Sequence, residues 1–376
     1  MKGAIKYTML AHRYTARYPL LTYVGTQVNF WVITNLVLVA VLHLEAIVIS
    51  GVFNISVAGR LGPMVAAAVL FGLIHGLALG ITGYKLDHKI FRNLPLGTIV
   101  ILKTLISLVV LLTVLALLKY VLFAFIVTPP KQLPGVSFDD QAYSYTFLLL
   151  MIYYFFMTLV ISFINQVNKR YGPGIVIPLL LGQYRTPKEE QRIFMFMDLK
   201  SSTATAERLG HLKYSSFIRD CFSDINDVLY PHAAQVYQYV GDEIVVTWAE
   251  EEGLKEGYCV RFFFACKMQF EKRAEYYRDN YGSLPEFKAS LHSGPVTAVE
   301  IGEVKREIAY HGDTLNTAAR IQSVCNDFQR SFLVSEELFN KVTSRFRATG
   351  ERLGTVLLKG KASKVGIVSI DSIDGK

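Results

Sequence analysis

The chain has 376 residues, is 52% hydrophobic, has a mean hydropathy of +0.32 and carries a net charge of +8 at pH 7. The length allows two or more domains, and so apolar a composition is unusual for a soluble protein. The positive charge does not indicate a nucleic-acid partner, because basic residues beside membrane segments account for it. All four cysteines lie in the second half without CxxC spacing, which indicates unpaired thiols in a reducing compartment.

The apolar residues of the first half form four stretches, each near the ~20 residues that cross a bilayer. They are roughly Val28–Ser50, Pro63–Tyr84, Thr98–Val127 and Tyr145–Gln166. We therefore predict an all-α membrane domain of about four transmembrane helices over residues 28–166, after a basic leader at residues 1–27. The third stretch contains Lys103 and Lys119, so it either tilts or begins near Lys103 with that side chain reaching the interface.

Basic residues set the orientation of this membrane domain. They are concentrated in the leader, in the loop after the second stretch and after the fourth: Lys2, Lys6, Arg13, Arg17, Lys85, Lys89, Arg92, Lys169 and Arg170. Positive residues favour the cytoplasmic side. We expect an integral protein of the inner or plasma membrane, with its N-terminus and its second half in the cytoplasm. The leader lacks the cleavage site of a signal peptide.

Three ionisable residues fall inside the predicted spans: His43, Glu45 and His75. Such residues are costly in a membrane and are often functional. Two interpretations stay open, a ligand or haem site between spans one and two, or packing inside the bundle or near its outer interface. The segment 167–191 is predicted to be a linker, because Gly172, Pro173 and Gly174 interrupt the last helix. It either transmits the state of the membrane domain or serves as a spacer.

From Arg192 the periodicity alternates between strand and helix, which predicts an α+β domain over residues 192–376. The order strand–helix–hairpin–helix–strand is typical of a ferredoxin-like core. The predicted elements are strand Ile193–Leu199, helix Thr205–Tyr230 with a possible break near Gly210, strands Gln235–Val240 and Ile244–Trp248, helix Gly253–Tyr281, strands Phe287–His292 and Val296–Ile301 around a turn at Ser293–Pro295, strand Ile308–Tyr310, helix Asp313–Cys325, strand Phe332–Val334, a helix from Glu336, and strands around Val356–Leu358 and Val365–Ile370.

Two aspartates follow strand-like runs in this half. Asp198 comes at the end of the first predicted strand, and Asp242 lies in the turn of the predicted hairpin. Two such carboxylates can hold a pair of divalent cations over a triphosphate. Farther on, Asn316 and Arg320 are four residues apart and therefore share one face of a helix. These features suggest nucleotide chemistry.

Five motifs in order resemble the catalytic domain of class III nucleotidyl cyclases, the adenylyl and guanylyl cyclases. They are Phe196–Thr203, Gly241–Glu243, Leu291–Val296, Gly312–Arg320 and Leu358–Gly360. The resemblance covers roughly Arg192 to Ile370. It implies conversion of ATP or GTP to a 3′,5′-cyclic nucleotide and pyrophosphate, with two Mg²⁺ or Mn²⁺ ions per active site.

The resemblance also implies roles for individual residues. Asp198, Asp242 and the carbonyl of Leu199 would bind the metals, and Ser201, Ser202 and Thr203 would cradle the triphosphate. Asn316 would orient the ribose, Arg320 would stabilise charge on the α-phosphate, and Lys359 would contact the terminal phosphates. In the family the aspartates and the Asn/Arg pair come from different subunits, so a head-to-tail homodimer with two shared sites is expected.

Two positions depart from the family pattern. Where cyclases select the base, this chain has Gln238 and Ala309. A glutamine side chain can donate and accept, so it suits either purine, whereas alanine offers no polar group. Tyr310 and His311 are candidates to replace Ala309. We expect ATP to be the substrate, because adenylyl cyclases predominate among bacterial membrane members, with GTP or mixed use as the alternative. A degenerate nucleotide-binding sensor is the further alternative, and a transporter is disfavoured.

Overall fold

The computed structural model describes residues 18–54, 61–89, 95–125, 140–171, 182, 184–304, 306–358 and 364–372. The chain divides into two compact units, residues 18–173 and a C-terminal unit that begins at residue 174. Each unit has its own hydrophobic core.

The N-terminal unit contains four helices among its described residues. They are α1 (Pro19–Phe53), α2 (Leu61–Lys89), α3 (Leu96–Phe125) and α4 (Asp140–Tyr171). Helices α1, α2 and α4 contain stretches long and apolar enough to cross a membrane, which confirms three of the predicted spans. In α3 the apolar stretch that can be judged is shorter, Gly97–Thr113, so the count of four spans stays a prediction.

Helices α1 and α2 pack closely along a row of glycines. Ideal Cβ atoms added to Gly72, Gly76 and Gly80 would lie 2.6, 2.5 and 2.9 Å from the Cα atoms of Val32, Val28 and Val24. Contacts this short are possible only without a side chain, and small residues allow similarly close packing of helices in membrane proteins. The two helices are therefore antiparallel, with Gly76 opposite Val28.

This register separates the two histidines. His75 adjoins Gly76 and so lies level with Val28, whereas His43 lies 43 − 28 = 15 residues farther along α1. At a rise of 1.5 Å per residue the separation is roughly 22 Å. The interpretation of a haem or other ligand shared by His43 and His75 is therefore wrong. His75 is instead buried against Trp31, Phe71 and Tyr154.

The C-terminal unit is built on a mixed sheet of eight strands among the described residues. They are β1 (Lys188–Leu199), β2 (Gln235–Val240), β3 (Glu243–Ala249), β4 (Phe287–Ile301), β5 (Glu307–His311), β6 (Phe332–Ser335), β7 (Thr349–Val356) and β8 (Val365–Ser372). The order is β2-β3-β1-β4-β6-β8-β7, with β5 also paired to β4. Only β4 and β6 run parallel within the described sheet. The four strands β2-β3-β1-β4 form the predicted ferredoxin-like core.

Helices lie on both faces of this sheet, and the central strand β1 buries side chains on both sides. They are α5 (Ser202–Leu209), α6 (His211–Leu229), α7 (Glu250–Leu254), α8 (Tyr258–Lys272), α9 (Ala274–Tyr281), α10 (Asp313–Ser323) and α11 (Glu336–Thr343). Met195 and Met197 of β1 pack in one core with α6 and α8. Phe194 and Phe196 pack on the opposite face with Ala318 of α10. This alternation is the period-two pattern of a strand.

Several predicted elements differ from those observed. The break at Gly210 is confirmed, since this glycine has φ +73° and separates α5 from α6. The single helix predicted for Gly253–Tyr281 is wrong, because Arg273 leaves the helical conformation between α8 and α9. The strand expected around Val356–Leu358 lies earlier, at Thr349–Val356.

The turn predicted at Ser293–Pro295 is also wrong, because β4 runs unbroken through it. Strand β1 pairs with this segment on one side, with Gln191 opposite Pro295. On the other side β6 pairs only with 289–291 and β5 only with 297–301. A proline is tolerated where one edge of a strand needs no ladder donor, as in this gap.

Candidate active site

The two predicted metal-binding aspartates lie at the ends of neighbouring strands. Asp198 is near the end of β1, opposite Glu243 of β3 and opposite Lys288 of β4. Asp242 occupies the tight turn between β2 and β3, beside Gly241 with φ +61°. Because β3 is the antiparallel neighbour of β1, the start of β3 meets the end of β1. The fold therefore brings both carboxylates to one edge of the sheet.

Negative charge is crowded at this edge. Partial burial, together with the charges of Asp198 and Asp242, raises the pKa of Glu243 to about 7. The Oδ2 atom of Asp242 is buried and accepts no hydrogen bond from any described residue. A buried carboxylate oxygen without a partner is costly, and a divalent cation is a suitable partner for it.

The donor set fits a metal that keeps part of its coordination for substrate. Among the described residues no group of three or more His, Cys, Asp or Glu side chains is arranged around one point. Mg²⁺ is commonly bound by one or two carboxylates plus substrate phosphates, rather than by a full protein cage. Asp198 and Asp242 match that arrangement, and the backbone carbonyl of Leu199 is next in the chain.

Two contacts of Asp198 were not expected from the sequence. Its Oδ2 atom lies 3.2 Å from the ammonium of Lys288 and accepts a hydrogen bond of 3.1 Å from the amide of Gln322. Lys288 holds this place because β4 pairs with β1 in a register that sets it opposite Asp198. Gln322 belongs to α10, the helix that carries Asn316 and Arg320. Lys288 therefore occupies a carboxylate oxygen that a metal would need.

The turn after β1 begins at Lys200 and leads into α5. Ser201 adopts a left-handed conformation, with φ 52° and ψ 37°, which non-glycine residues rarely adopt. Tyr214 of α6 lies beside this turn, where burial and the nearby Asp242 raise its pKa while a hydrogen bond with Ser202 lowers it. Lys200 fixes the other side through its ammonium, which donates to Ser331 Oγ at 2.7 Å. Ser201 and Thr203 are exposed and accessible to a ligand.

Helix α10 begins close to β4 because two glycines leave room for it. A Cβ on Gly294 would lie 2.5 Å from Thr314 Oγ1, and Gly312 has φ +151°. Thr314 donates to the carbonyl of Pro295 at 2.8 Å and anchors the first turn. Asn316 is exposed and Arg320 is half-buried. Within the described chain, neither hydrogen-bonds or pairs with Asp198 or Asp242.

The predicted base-selecting positions differ in environment. Gln238 is exposed on β2, at the end of an irregularity in its pairing with β3. Ala309 is buried on β5 opposite Val299. The next residue, Tyr310, packs against Phe194 and Tyr237, with the guanidinium of Arg192 4.8 Å from its ring centre. Lys359 lies outside the described residues.

Comparisons with known proteins give the family of this domain. The family model for the adenylate and guanylate cyclase catalytic domain matches residues 185–369. These residues belong to that family, and the chain carries a class III cyclase catalytic domain. The resemblance inferred from the five motifs is confirmed.

Two relatives and one solved structure illustrate what this chain is similar to. Adenylate cyclase 2 of Rhizobium meliloti is 34% identical over 210 residues, which are 56% of this chain and 58% of that protein. Adenylate cyclase 1 of the same organism is 24% identical over 47% of this chain and 27% of its own length. The chain thus matches less than two thirds of either relative. Among solved structures, the adenylyl cyclase CyaB from P. aeruginosa is similar, with 15% identity, a TM-score of 0.44, and coverage of 51% of this chain and 97% of that one.

Proposed function

We propose that the protein is a membrane-anchored adenylate cyclase that converts ATP to 3′,5′-cyclic AMP and pyrophosphate. The observation that carries this proposal is the pair of carboxylates on a cyclase-family domain, one of them with a buried oxygen that has no partner among the described residues. The relative named Adenylate cyclase 2 supports the choice of ATP.

In the proposed reaction the 3′-hydroxyl oxygen of the ribose bonds to the α-phosphorus as the bond to pyrophosphate breaks, and the hydroxyl proton is lost. Asp198, Asp242 and the Leu199 carbonyl would hold two Mg²⁺ or Mn²⁺ ions, which supply positive charge at the phosphates and lower the pKa of the hydroxyl. Lys288 would have to release Asp198 when a metal binds. The exposed turn Ser201–Thr203, at the start of α5, would offer backbone N–H groups to the triphosphate.

The Asn316 and Arg320 side chains would act on the substrate from α10. Asn316 would orient the ribose, and the guanidinium of Arg320 would stabilise charge that develops on the α-phosphate. Lys359 is proposed to contact the terminal phosphates. Because neither α10 side chain contacts the aspartates of its own chain in the part described, we propose a head-to-tail homodimer in which each site takes the aspartates from one subunit and the Asn/Arg pair from the other.

A few residues bear on the choice of purine base. Gln238 is exposed and its amide can pair with either purine, so GTP is the second candidate substrate. Ala309 is buried and offers no polar group, which places the selection on Gln238 or on neighbours such as Tyr310 and His311.

The cellular setting is likewise a proposal. The apolar helices support an integral membrane protein that contacts lipid, and the basic loops favour a cytoplasmic N-terminus and catalytic domain. We retain the division into a leader (1–27), a membrane domain (28–166), a linker (167–191) and a catalytic domain (192–376).

The substrate is tested by incubating the full-length protein with ATP or GTP and either Mg²⁺ or Mn²⁺, followed by measurement of the cyclic nucleotide and of pyrophosphate. We expect cyclic AMP and an equal amount of pyrophosphate. Cyclic GMP alone would move the proposal to a guanylate cyclase. Failure to form either product with either metal would refute the enzymatic proposal and favour a sensor domain.

The shared site is tested by mixing two inactive variants, Asp198→Ala and Arg320→Ala. Each should be inactive alone, whereas a mixed dimer retains one intact site of two. After random exchange of subunits, half of the dimers are mixed, so about one quarter of the wild-type activity should return. Asp279→Ala serves as a control and should stay active, because Asp279 is exposed and distant in sequence from Asp198 and Arg320. Activity that does not return after exchange would contradict the shared site.

A further inference from the structure

Asp198 is held by a donor to which the proposed reaction gives no part. Its Oδ2 atom accepts a hydrogen bond of 3.1 Å from the side-chain amide of Gln322, which lies 124 positions later in the chain. The same oxygen lies 3.2 Å from the ammonium of Lys288 on the neighbouring strand. One carboxylate oxygen therefore meets two donors, one neutral and one charged, from two different elements of the fold.

Gln322 reaches Asp198 from a helix that is fixed against the sheet. The carbonyl of Ala318 on α10 accepts a hydrogen bond of 2.7 Å from Ser290 Oγ on β4. Ile321, the residue before Gln322, is fully buried, and Gln322 itself is only 8% exposed. A side chain held in this way has its rotamer set by packing. The fold therefore places the amide beside Asp198 before any metal binds.

The Asp198 carboxylate needs such a support. It lies near the end of β1, and 25% of its side-chain surface is exposed, so a ligand can reach it. The last torsion of an aspartate side chain is broad and is not confined to narrow rotamers. The carboxylate can therefore turn unless a neighbour holds it, and the direction of its oxygens decides where a metal can be bound.

The two donors differ in what they allow at this oxygen. The ammonium of Lys288 carries a full positive charge, which repels a metal at the same carboxylate. The amide of Gln322 is neutral, and it takes one lone pair of an oxygen that has two. Metal binding therefore requires the lysine to leave, whereas the glutamine can stay.

We infer that Gln322 is a positioning residue that keeps the Asp198 carboxylate turned toward the metal. This inference rests on the proposed function, because Asp198 must be a metal ligand. Gln322 acts through Asp198 and has no contact of its own with the reacting atoms. Removal of a residue that supports a metal ligand in this way typically changes metal affinity or activity by about 10–100-fold.

The test measures Mn²⁺ binding to the full-length protein without turnover. Free Mn²⁺ is followed by electron paramagnetic resonance during a titration in the presence of 3′-deoxy-ATP, which lacks the attacking hydroxyl and cannot be cyclised. A titration of the nucleotide alone supplies the signal to subtract. Gln322→Met nearly keeps the size of the side chain and removes the donor, so the Kd for Mn²⁺ should rise ~10-fold.

Gln269→Met is the matched control, because it makes the same chemical change on α8, which packs on the other face of the sheet. It should leave the Kd for Mn²⁺ unchanged. The urea midpoint, followed by tryptophan emission, is measured for both variants to separate positioning from folding. A merely structural role of Gln322 would lower the midpoint of Gln322→Met and leave its Kd for Mn²⁺ at the wild-type value.

The inference is overturned if Gln322→Met binds Mn²⁺ as tightly as the wild type, if Gln269→Met weakens binding equally, or if the wild type binds no Mn²⁺ beyond the nucleotide reference. Failure of the proposed function is seen separately, as the absence of cyclic product from ATP and from GTP. Wild-type protein that binds Mn²⁺ but makes no cyclic nucleotide would refute the enzyme and would still show whether Gln322 supports the metal site.

Discussion

The two units bury their side chains in opposite ways. In the C-terminal unit apolar residues fill the inside, as with Phe194 and Met195 on opposite faces of β1, both 0% exposed. In the N-terminal unit large apolar residues such as Leu44 and Val48 point outward, while Gln27 and Asn35 are buried. The same residue type therefore marks a core in one unit and an exposed outer surface in the other. In the N-terminal unit buried polar residues link the helices to one another. In the C-terminal unit polar residues carry the proposed chemistry.

Each unit holds one of the two tryptophans, which allows the units to be followed separately. Trp31 lies in the helical bundle, and Trp248 lies in the core of the cyclase domain, where its indole N–H donates to the carbonyl of His232. In full-length protein, the Trp31→Phe background reports unfolding of the C-terminal unit. The Trp248→Phe background reports the helices.

The largest effect is expected from Asp242→Asn in the C-terminal unit. This change keeps the shape of the side chain and removes the charge proposed to bind metal, so cyclase activity should fall at least ~100-fold. Stability should not fall, because Oδ2 has no partner in the described chain and the charge repels Asp198 and Glu243. The urea midpoint from Trp248 emission and the rate of cyclic nucleotide formation test both parts. Retained activity with a lowered midpoint would show a structural role instead.

This site shows how far sequence reasoning reaches. Asp198 and Asp242 could be placed together because a hairpin beside the first strand follows from local periodicity and the ferredoxin-like order. The contacts of Lys288 and Gln322 with Asp198 could not be predicted from the sequence. They depend on the register between β1 and β4 and on the position of α10 against the sheet, and both are determined by contacts between residues distant in sequence.

Two errors have the same origin. The proline at position 295 predicted a turn, yet β4 continues because one of its edges has no strand neighbour there in the described sheet. His43 and His75 suggested a shared ligand, yet the glycine row on α2 fixes a register that sets them far apart. Composition predicts that a segment is a strand or a membrane span. It does not determine how far along a helix a residue lies relative to the neighbouring helix, or which part of a strand edge is unpaired.

The next effect concerns that glycine row in the N-terminal unit. Gly76→Ala adds a Cβ that would lie 2.5 Å from the backbone Cα of Val28, so α1 and α2 must separate. We expect a loss of about 1–3 kcal/mol, as for other overpacked sites, seen as a lower SDS concentration at the midpoint of Trp31-detected unfolding. Gly51→Ala is the matched control, because no atom lies within 4 Å of its added Cβ. Equal midpoints for the two variants would contradict the close approach.

Tyr277 in the C-terminal unit and Tyr154 in the N-terminal unit each donate a buried hydrogen bond, so the same Tyr→Phe change can be compared in the two units. In the C-terminal unit the Tyr277 hydroxyl donates to Asp224, which also pairs with Arg273. Tyr277→Phe removes a bond to a buried charge, and such bonds contribute about 1.5–3 kcal/mol. The urea midpoint from Trp248 should fall accordingly. The Tyr276→Phe variant, at an exposed tyrosine that donates to Asp220, should change it less.

The smallest effect is expected from the corresponding change in the helices, Tyr154→Phe. The Tyr154 hydroxyl donates to the neutral side chain of Asn35, which itself donates to the carbonyl of Trp31 at 2.7 Å. Interhelical hydrogen bonds in membrane proteins contribute only about 0.6 kcal/mol on average, because the unfolded helices also find partners. The SDS midpoint from Trp31 should therefore shift much less than for Gly76→Ala. A loss in free energy of unfolding as large as that caused by Tyr277→Phe in the C-terminal unit would mean that the helices depend on their buried polar residues as strongly as the cyclase domain does. The contrast between the two units would then lie in their surfaces alone.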